Sequence, residues 1–256
     1  MNLGLEGRRA LVTGGSKGLG FAIARELVNE GVRVAICSRN EEEVLAAAEE
    51  LGVAYAQAAD VTDPEQVRDF VARSAEELGG IDFLVNNAGG AHPGSFETLS
   101  DENWAADLDV KLFSLIRCSR EVLPHLRETG GGRIVNIGSV YSRYPDPAFF
   151  STSVNRAAGN SFTKTLALEV AKDNILVNGV NIGFVTTPQW DNIHQRRAPE
   201  LPREEFFDTI AAQEVPLGRF GTPDEVSGLV TFLLSERAGY ITGASIDVAG
   251  GMGRYV

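Results

Sequence analysis

A glycine-rich turn near the start of the chain has the spacing of a phosphate-binding loop. It lies between an apolar β-branched run, residues 9–13, and a helical pattern that begins near residue 18. Glycine lets the backbone approach a phosphate closely, and the free N–H groups and dipole of a helix N-terminus favour negative charge. The turn therefore predicts a pyrophosphate site for a dinucleotide, made by Gly14, Ser16, Lys17, Gly18, Leu19 and Gly20.

The end of the next strand indicates which dinucleotide would bind. Residues 32–37 read as a strand, and Ser38 and Arg39 follow where a NAD-binding protein carries an acidic side chain for the ribose 2′-hydroxyl. Arg39 can instead bind a 2′-phosphate, and Lys17 can add a second positive charge to it. The sequence favours NADP(H) over NAD(H). The alternative for Arg39 is a solvated surface arginine beside the acidic run 41–43.

Seven short apolar runs alternate with helical patterns and would position these residues. The strands are predicted at 9–13, 32–37, 53–59, 81–85, 132–137, 175–181 and 245–248. The helices are predicted near 18–30, 41–51, 64–78, 101–128, 148–172 and 223–235. Because several strands are apolar almost throughout, they belong in a parallel sheet covered by helices on both faces. The pattern predicts one α/β domain over residues 1–256, with a doubly wound, Rossmann-type parallel sheet of seven strands.

The segment 184–222 is the longest stretch without a clear strand or helix pattern. In doubly wound sheets, ligands bind beyond the carboxyl ends of the strands, where the connecting loops meet. The segment follows the strand predicted at 175–181, so it reaches that edge of the sheet. We therefore expect residues 184–222 to form a substrate lid.

The composition limits the partners of the protein. The 256 residues carry a net charge of -12, which disfavours nucleic acid and anionic membrane as partners because both need a basic surface. No apolar run approaches the roughly 20 residues that span a bilayer, and the first residues lack a leader pattern. With only Cys37 and Cys118, the chain fits a reducing compartment. The expectations are a cytoplasmic protein with a small-molecule substrate and no metal site.

Further short motifs carry a family resemblance. Beside the glycine turn, they are Asp60 and Val61 after the third predicted strand, Asn86 to Gly89 after the fourth, and glycines within 243–251. Together they resemble the single-domain short-chain dehydrogenases/reductases, especially the 3-oxoacyl-carrier-protein reductases, from about residue 6 to 253. The resemblance implies a homodimer or homotetramer. It also implies that the cofactor is lined by Asp60, Val61, Asn87, Ala88, Gly89, Arg156, Gly183, Val185 and Thr186.

The catalytic positions depart from that family pattern. Members usually carry Asn, Ser, Tyr and Lys, with the Tyr as acid and base and the Lys four residues later on the same helix face. Here the corresponding positions hold Lys111, Ser139, Thr152 and Arg156. Threonine is too weak an acid to replace tyrosine, and arginine stays protonated, so the usual mechanism does not carry over. Arg156 can still donate hydrogen bonds to the ribose hydroxyls.

Other side chains are candidates for the missing proton donor. Tyr141 and Tyr144 follow Ser139 on the loop after its strand, and His92 follows the segment that lines the cofactor. Lys111 can supply the positive charge that perturbs the pKa of such a phenol. The alternatives are that the tyrosines only shape an apolar pocket and that His92 is a surface residue.

Three functions fit these residues. The first is an NADP(H)-dependent oxidoreductase that acts on a carbonyl or hydroxyl group with an atypical proton donor. The second is a non-redox enzyme of the same fold, a lyase, isomerase or dehydratase, in which Lys111 and Arg156 bind an oxyanion. The third is a dinucleotide-binding pseudoenzyme. Failure to oxidise NADPH despite binding it would favour the second or third.

Overall fold

A computed structural model describes residues 2–90 and 92–253, and within them all seven predicted strands form one sheet. The strands are parallel, in the order β3-β2-β1-β4-β5-β6-β7. Their bounds are β1 (Arg9–Thr13), β2 (Arg33–Ser38), β3 (Tyr55–Ala58), β4 (Phe83–Asn86), β5 (Gly132–Ser139), β6 (Ile175–Ile182) and β7 (Ser245–Val248). The predicted fold class, a doubly wound Rossmann-type sheet, is therefore confirmed.

Nine α-helices lie within the described residues. They are α1 (Gly18–Asn29), α2 (Glu41–Leu51), α3 (Pro64–Leu78), α4 (Asp101–Leu108), α5 (Ser114–Glu128), α6 (Phe150–Val170), α7 (Pro188–Arg197), α8 (Arg203–Glu214) and α9 (Pro223–Leu234). None of them is long and apolar enough to cross a membrane.

Helices cover both faces of the sheet, as the apolar strands require. Successive side chains of a strand point to opposite faces. Accordingly Ala10 and Val12 of β1 pack in one apolar cluster with Ile23 of α1, whereas Leu11 packs in another with Phe70 of α3. The three strand residues are 0% exposed, so the centre of the sheet is fully enclosed.

The single helix predicted over 101–128 is wrong in one respect. A π-helical turn, Asp109–Phe113, separates α4 from α5, and it contains Lys111. A π-turn inserts an extra residue into a helix, so it changes the direction in which the following side chains point. Periodicity alone did not distinguish this turn from continuous α-helix because the residues on both sides remain helical.

The segment 184–222 is also more regular than predicted. It contains α7 and α8, which pack through an apolar cluster that includes Trp190, Phe206 and Phe207. Both helices are short and mostly polar, and Pro188 and Pro202 stand at their starts, so the helical pattern was weak in the sequence. The aromatic contacts among Phe184, Trp190, Phe207 and Phe220 supply the packing that such short helices lack by themselves.

The strand order creates a crevice between β1 and β4. From β1 the chain proceeds outward to β2 and β3, and from β4 it proceeds the opposite way to β5, β6 and β7. The connections after β1 and β4 therefore separate at this point, which is where doubly wound sheets bind ligands. Asn87, just after β4, holds the two connections together by donating to the backbone oxygens of Thr13 at 3.0 Å and Gly14 at 3.1 Å.

Candidate active site

A pocket of about 960 Å³ opens at the carboxyl ends of the strands. It extends from the turn after β1, past the ends of β2 and β5, to α7. All but one of the residues predicted to bind the cofactor line it: Gly14, Ser16, Lys17, Gly18, Leu19, Gly20, Ser38, Arg39, Asp60, Val61, Asn87, Ala88, Gly89, Arg156, Gly183 and Val185. The exception is Thr186, whose hydroxyl donates to the backbone oxygen of Gly221 at 3.2 Å, while Thr187 lines the pocket.

The turn after β1 has the geometry of an anion cradle. Gly14 and Gly18 have φ angles of +67° and +58°, in the left-handed region that favours glycine. A Cβ atom on Gly20 would lie 2.1 Å from the Gly14 oxygen, so the backbone packs too closely for any side chain there. Lys17, the residue before α1, makes no side-chain cap, which leaves the first N–H groups of the helix available to a pyrophosphate. These features fit a dinucleotide.

The two basic residues predicted to bind a 2′-phosphate, Arg39 and Lys17, differ in their ion pairing. Arg39 has no acidic partner within the part of the chain that the structure describes, and it lines the pocket. Lys17 instead forms an ion pair with Glu43, with its Nζ 2.8 and 3.0 Å from the two carboxylate oxygens. Arg39 thus offers a positive charge to a ligand, whereas that of Lys17 is already balanced.

Three of the aligned catalytic positions line the same pocket. Ser139 ends β5, and Thr152 lies in the first turn of α6. Lys111 approaches from the π-turn, and its Nζ donates to the Thr152 hydroxyl at 2.7 Å. All three residues line the pocket, and among the described residues the Ser139 hydroxyl accepts one hydrogen bond, at 3.3 Å, from the Tyr141 backbone N–H. The pocket wall thus carries two hydroxyl groups, with the Lys111 ammonium hydrogen-bonded behind that of Thr152.

Lys111 is part of a buried polar cluster behind the pocket. Its side chain is 1% exposed, and its Nζ also donates to Oδ1 of Asp107, which is fully buried. The same Oδ1 lies 2.7 Å from Nδ1 of His92, and Oδ2 accepts a hydrogen bond from Asn155 at 2.8 Å. Asp107 thus connects Lys111 to a histidine on the loop after β4.

Burial changes the proton affinity of this cluster. It lowers the pKa of Lys111 from 10.5 to about 8, against the opposing effect of Asp107 and with some help from the positive charge of Arg156. Burial would raise the pKa of Asp107, but hydrogen bonds from His92, Lys111 and Asn155 hold it well below its usual range. Lys111 can therefore exchange its proton close to neutral pH, beside a carboxylate that is ionised at rest.

Arg156 differs chemically from the lysine expected at its position. Its Nη1 donates to the backbone oxygen of Ile137 at 2.7 Å, and Nη2 lies where a side chain on Gly89 would stand. Burial lowers the pKa of Arg156 to about 10, so the guanidinium remains charged at neutral pH. It lines the pocket beside the segment after β4, where it can donate to a ligand but not exchange protons.

The other predicted proton donors are less well placed. Tyr144 is 37% exposed and does not line the pocket, so its predicted role as the acid is not supported by its position. Tyr141 does line the pocket, but it stacks on Phe149, and burial raises the pKa of its phenol, which weakens it as an acid. His92 lies outside the pocket and reaches it only through Asp107.

Sequence reasoning missed Asp107 and Asn155. The signal available was the spacing of Asp107 and Lys111, which are four residues apart on what reads as one helix, as ion-paired residues often are. Asn155 gave no signal, because its contact with Asp107 joins residues 48 apart in the chain. Residues 2–90 and 92–253 hold no group of three or more His, Cys, Asp or Glu arranged to bind a metal ion.

The fold and the pocket define a dinucleotide-binding α/β protein whose catalytic positions face the carboxyl ends of β4 to β6. A family model described as enoyl-(acyl carrier protein) reductase matches residues 14–253. The 3-oxoacyl-[acyl-carrier-protein] reductase of Thermotoga maritima is 34% identical over 252 residues, covering 97% of this chain and 98% of that protein. The chain belongs to the short-chain dehydrogenase/reductase family, and the resemblance seen in the sequence is confirmed.

Two solved structures are similar over nearly their whole length. L-sorbose reductase of Gluconobacter frateurii, in complex with NADPH and L-sorbose, matches with a TM-score of 0.95 and 33% identity, with 100% of both chains covered. An NADPH-bound short-chain oxidoreductase of Pseudomonas aeruginosa, described as containing an atypical catalytic center, matches with a TM-score of 0.90 and 35% identity, over 97% of this chain and 98% of that one.

Proposed function

We propose that this protein is an NADP(H)-dependent oxidoreductase that interconverts a carbonyl and a hydroxyl group, with Lys111 as the source of the proton. The observation that carries the proposal is the contact between Lys111 Nζ and the Thr152 hydroxyl at the wall of the pocket that Ser139 also lines. The named activities of the relatives and the NADPH in the similar structures support the reaction class.

The residues present fit the cofactor. The close-packed glycine turn and the uncapped N-terminus of α1 would hold its pyrophosphate, Arg39 its 2′-phosphate, and Arg156 its nicotinamide ribose. NADPH supplies a hydride for the carbonyl carbon when it is bound. Asp60 and Val61, together with Asn87 to Gly89, line the remaining length of the site.

The side chains at the end of the pocket would handle the oxygen of the substrate. Ser139 and Thr152 donate hydrogen bonds to the carbonyl oxygen, which becomes more basic as the carbon is reduced. Thr152 then passes its hydroxyl proton to that oxygen and takes a proton from Lys111 in the same movement. Because the two transfers are coupled, no free threonine alkoxide forms, and the weak acidity of threonine is not an obstacle. Lys111 ends the step as a neutral amine.

A direct test is to follow NADPH oxidation with a panel of sugar ketones, β-ketoacyl thioesters and steroid ketones. We expect absorbance loss with at least one member, and loss of that activity in Ser139→Ala by ~10- to 1000-fold, because one oxyanion hydrogen bond is removed. The matched control is Ser142→Ala, whose hydroxyl accepts from Asn160 and does not line the pocket. Binding of NADPH without oxidation by any member would count against the proposal and favour a non-redox enzyme.

The 2′-phosphate preference gives a separate prediction. Arg39→Ala should weaken NADPH binding by about 10- to 100-fold and leave NADH binding unchanged, because a charge-assisted hydrogen bond contributes about 1.5–3 kcal/mol. Glu43→Gln should strengthen NADPH binding several-fold, since it releases the Lys17 charge and removes a negative charge from the site. Calorimetric titration with both dinucleotides measures these changes.

The control for Glu43 is Glu50→Gln, an exposed acidic residue on the same helix that does not line the pocket. It should leave both affinities unchanged. Equal weakening of NADPH and NADH binding in Arg39→Ala would contradict the assignment of Arg39 to the 2′-phosphate.

We propose in addition that the protein is a cytoplasmic homodimer or homotetramer. Phe113, Val154 and Leu168, in the π-turn and α6, are 43%, 48% and 71% exposed, which is compatible with contacts in a homodimer or homotetramer. Light scattering of the purified protein measures the assembly. Cys37 and Cys118 are free and buried, which agrees with a cytoplasmic location.

A further inference from the structure

His92 connects the buried cluster to solvent. Its side chain is 43% exposed, whereas that of Asp107, which it contacts at 2.7 Å, is 0% exposed and that of Lys111 is 1% exposed. The histidine Nδ1 and the lysine Nζ meet the same carboxylate oxygen, Oδ1. A continuous set of proton-carrying groups therefore extends from the surface, through Asp107 and Lys111, to the Thr152 hydroxyl in the pocket.

Lys111 needs such a route once it has given a proton away. The proposed reaction leaves it as a neutral amine, and its polar contacts within the described residues are with Asp107 and Thr152. Thr152 leads only into the pocket, which substrate and cofactor would fill during turnover. Arg156, on α6, faces the cluster but holds its proton, and Asn155 donates to the other oxygen of Asp107. Of these groups, only Asp107 contacts a side chain that is exposed to solvent and can carry a proton, which is His92.

We infer that His92 and Asp107 form the path by which Lys111 regains its proton from solvent. The inference rests on the proposed function and adds a positioning and proton-supply role for two residues outside the pocket wall. A protonated His92 passes its Nδ1 proton to Oδ1 of Asp107, and the same oxygen passes a proton to Nζ of Lys111. His92 is left neutral and takes a proton from water at Nε2, so one proton is moved and no electrons are transferred.

The surrounding charges allow Asp107 to bind a proton only transiently. The carboxylate is held ionised by His92, Lys111 and Asn155, so it gives up a proton readily to the amine, which is the stronger base. The positive charge of Arg156 acts on the same cluster from α6. The titratable groups that face Lys111 are thus His92 from the loop after β4, Asp107 from α4 and Arg156 from α6.

The test compares His92→Gln with wild type in the reductive direction across pH. We expect kcat to fall by about 10-fold and KM to fall with it, so that kcat/KM stays unchanged, because the slowed step follows the chemistry. The NADPH dissociation constant should not change, because NADPH binding does not involve His92. The solvent deuterium isotope effect on kcat should increase, since reprotonation of Lys111 becomes slower. Free imidazole in the buffer should restore much of kcat in His92→Ala. The matched control is His125→Gln on α5, whose side chain contacts Glu128 and does not line the pocket.

A readout without turnover uses the protein free of cofactor. The 15N resonance of His92 Nδ1 should show a hydrogen-bonded nitrogen, and its chemical shift should respond to Lys111→Met, because both side chains contact Oδ1 of Asp107. Asp107→Asn should remove this response, because the shared carboxylate oxygen is lost.

Several outcomes would overturn the inference. One is an active wild type that depends on Lys111 but shows unchanged kcat and isotope effect in His92→Gln. Another is a fall in kcat that imidazole does not restore and that a loss of thermal stability explains by itself. A His92 Nδ1 resonance that does not respond to Lys111→Met would count against it equally. If instead none of the carbonyl substrates causes the wild type to oxidise NADPH, the proposed function itself fails.

Discussion

Replacement of Lys111 by methionine should lower kcat for carbonyl reduction by roughly 100- to 10,000-fold, the usual contribution of a positioned general acid. Lys111 lies in the π-turn between α4 and α5, and its Nζ contacts the Thr152 hydroxyl at 2.7 Å. Methionine retains the length and most of the volume of the side chain but carries no proton. NADPH binding should persist, because the dinucleotide would be held chiefly by the glycine turn, Arg39 and Arg156. Single-turnover and steady-state measurements separate the two effects.

The pH dependence provides a second check on Lys111. Its pKa is lowered by burial to about 8, and only the protonated form can donate. In the reductive direction, kcat should therefore be high below pH 8 and fall as the pH rises through that value. In the oxidative direction the neutral amine accepts the proton, so the dependence should be reversed.

Two further variants complete this experiment. The Lys111→Arg variant should have a low kcat, because arginine does not release its proton. Its pH profile should therefore lack the change in kcat near pH 8. Lys164→Met, at an exposed position on α6, is the matched control and should behave as wild type. Full activity in Lys111→Met would exclude Lys111 as the acid and favour Tyr141, the other candidate that lines the pocket.

Removal of the Asp107 carboxylate should have the largest effect on stability. Asp107→Ala leaves the Lys111 ammonium and the Asn155 amide buried without their partner, and breaking a buried ion pair costs about 3–5 kcal/mol. For a chain of this size we expect Tm to fall by about 10 °C. Thermal and denaturant unfolding measure the change. The double variant Asp107→Leu with Lys111→Met should recover a large part of it, because no unpaired charge remains.

An exposed pair with the same spacing is the natural control. Asp69 and Arg73 are also four residues apart, but their side chains are 48% and 62% exposed. Such exposed pairs contribute little to stability because water screens them, so Asp69→Ala should shift Tm only slightly. Equal effects of Asp69→Ala and Asp107→Ala would contradict the assignment of a buried ion pair to Asp107 and Lys111.

Acid titration tests the same carboxylate. Because the pKa of Asp107 is held below its usual range in the folded chain, its contribution to stability is present above the unfolded pKa of the carboxyl group. That contribution is lost as the pH falls through the lowered pKa. Asp107→Asn should therefore be less stable than wild type at neutral pH, with the difference decreasing toward strongly acidic pH.

The sequence determined the fold and the cofactor end of the site because both depend on short-range patterns. The apolar runs predicted all seven strands, and the glycine spacing after β1 predicted a turn that the backbone forms without room for a side chain at Gly20. The end of β2 was also predicted, and with it the position of Arg39 directly after the strand, because neighbouring residues of the chain must lie close together. The same reading showed that Thr152 and Arg156 replace the family's usual catalytic pair.

Only the tertiary structure decided how the replacement residues are arranged. The contacts of Lys111 with Thr152, of Asp107 with Asn155 and of His92 with Asp107 join residues 41, 48 and 15 positions apart. No periodicity encodes such contacts, because they depend on how α4, the π-turn and α6 pack against one another. The lowered pKa of Lys111 likewise comes from burial, which is a property of the packed chain and not of the residue. The glycine turn was visible in the sequence, whereas the contacts of Lys111 became visible only in the fold.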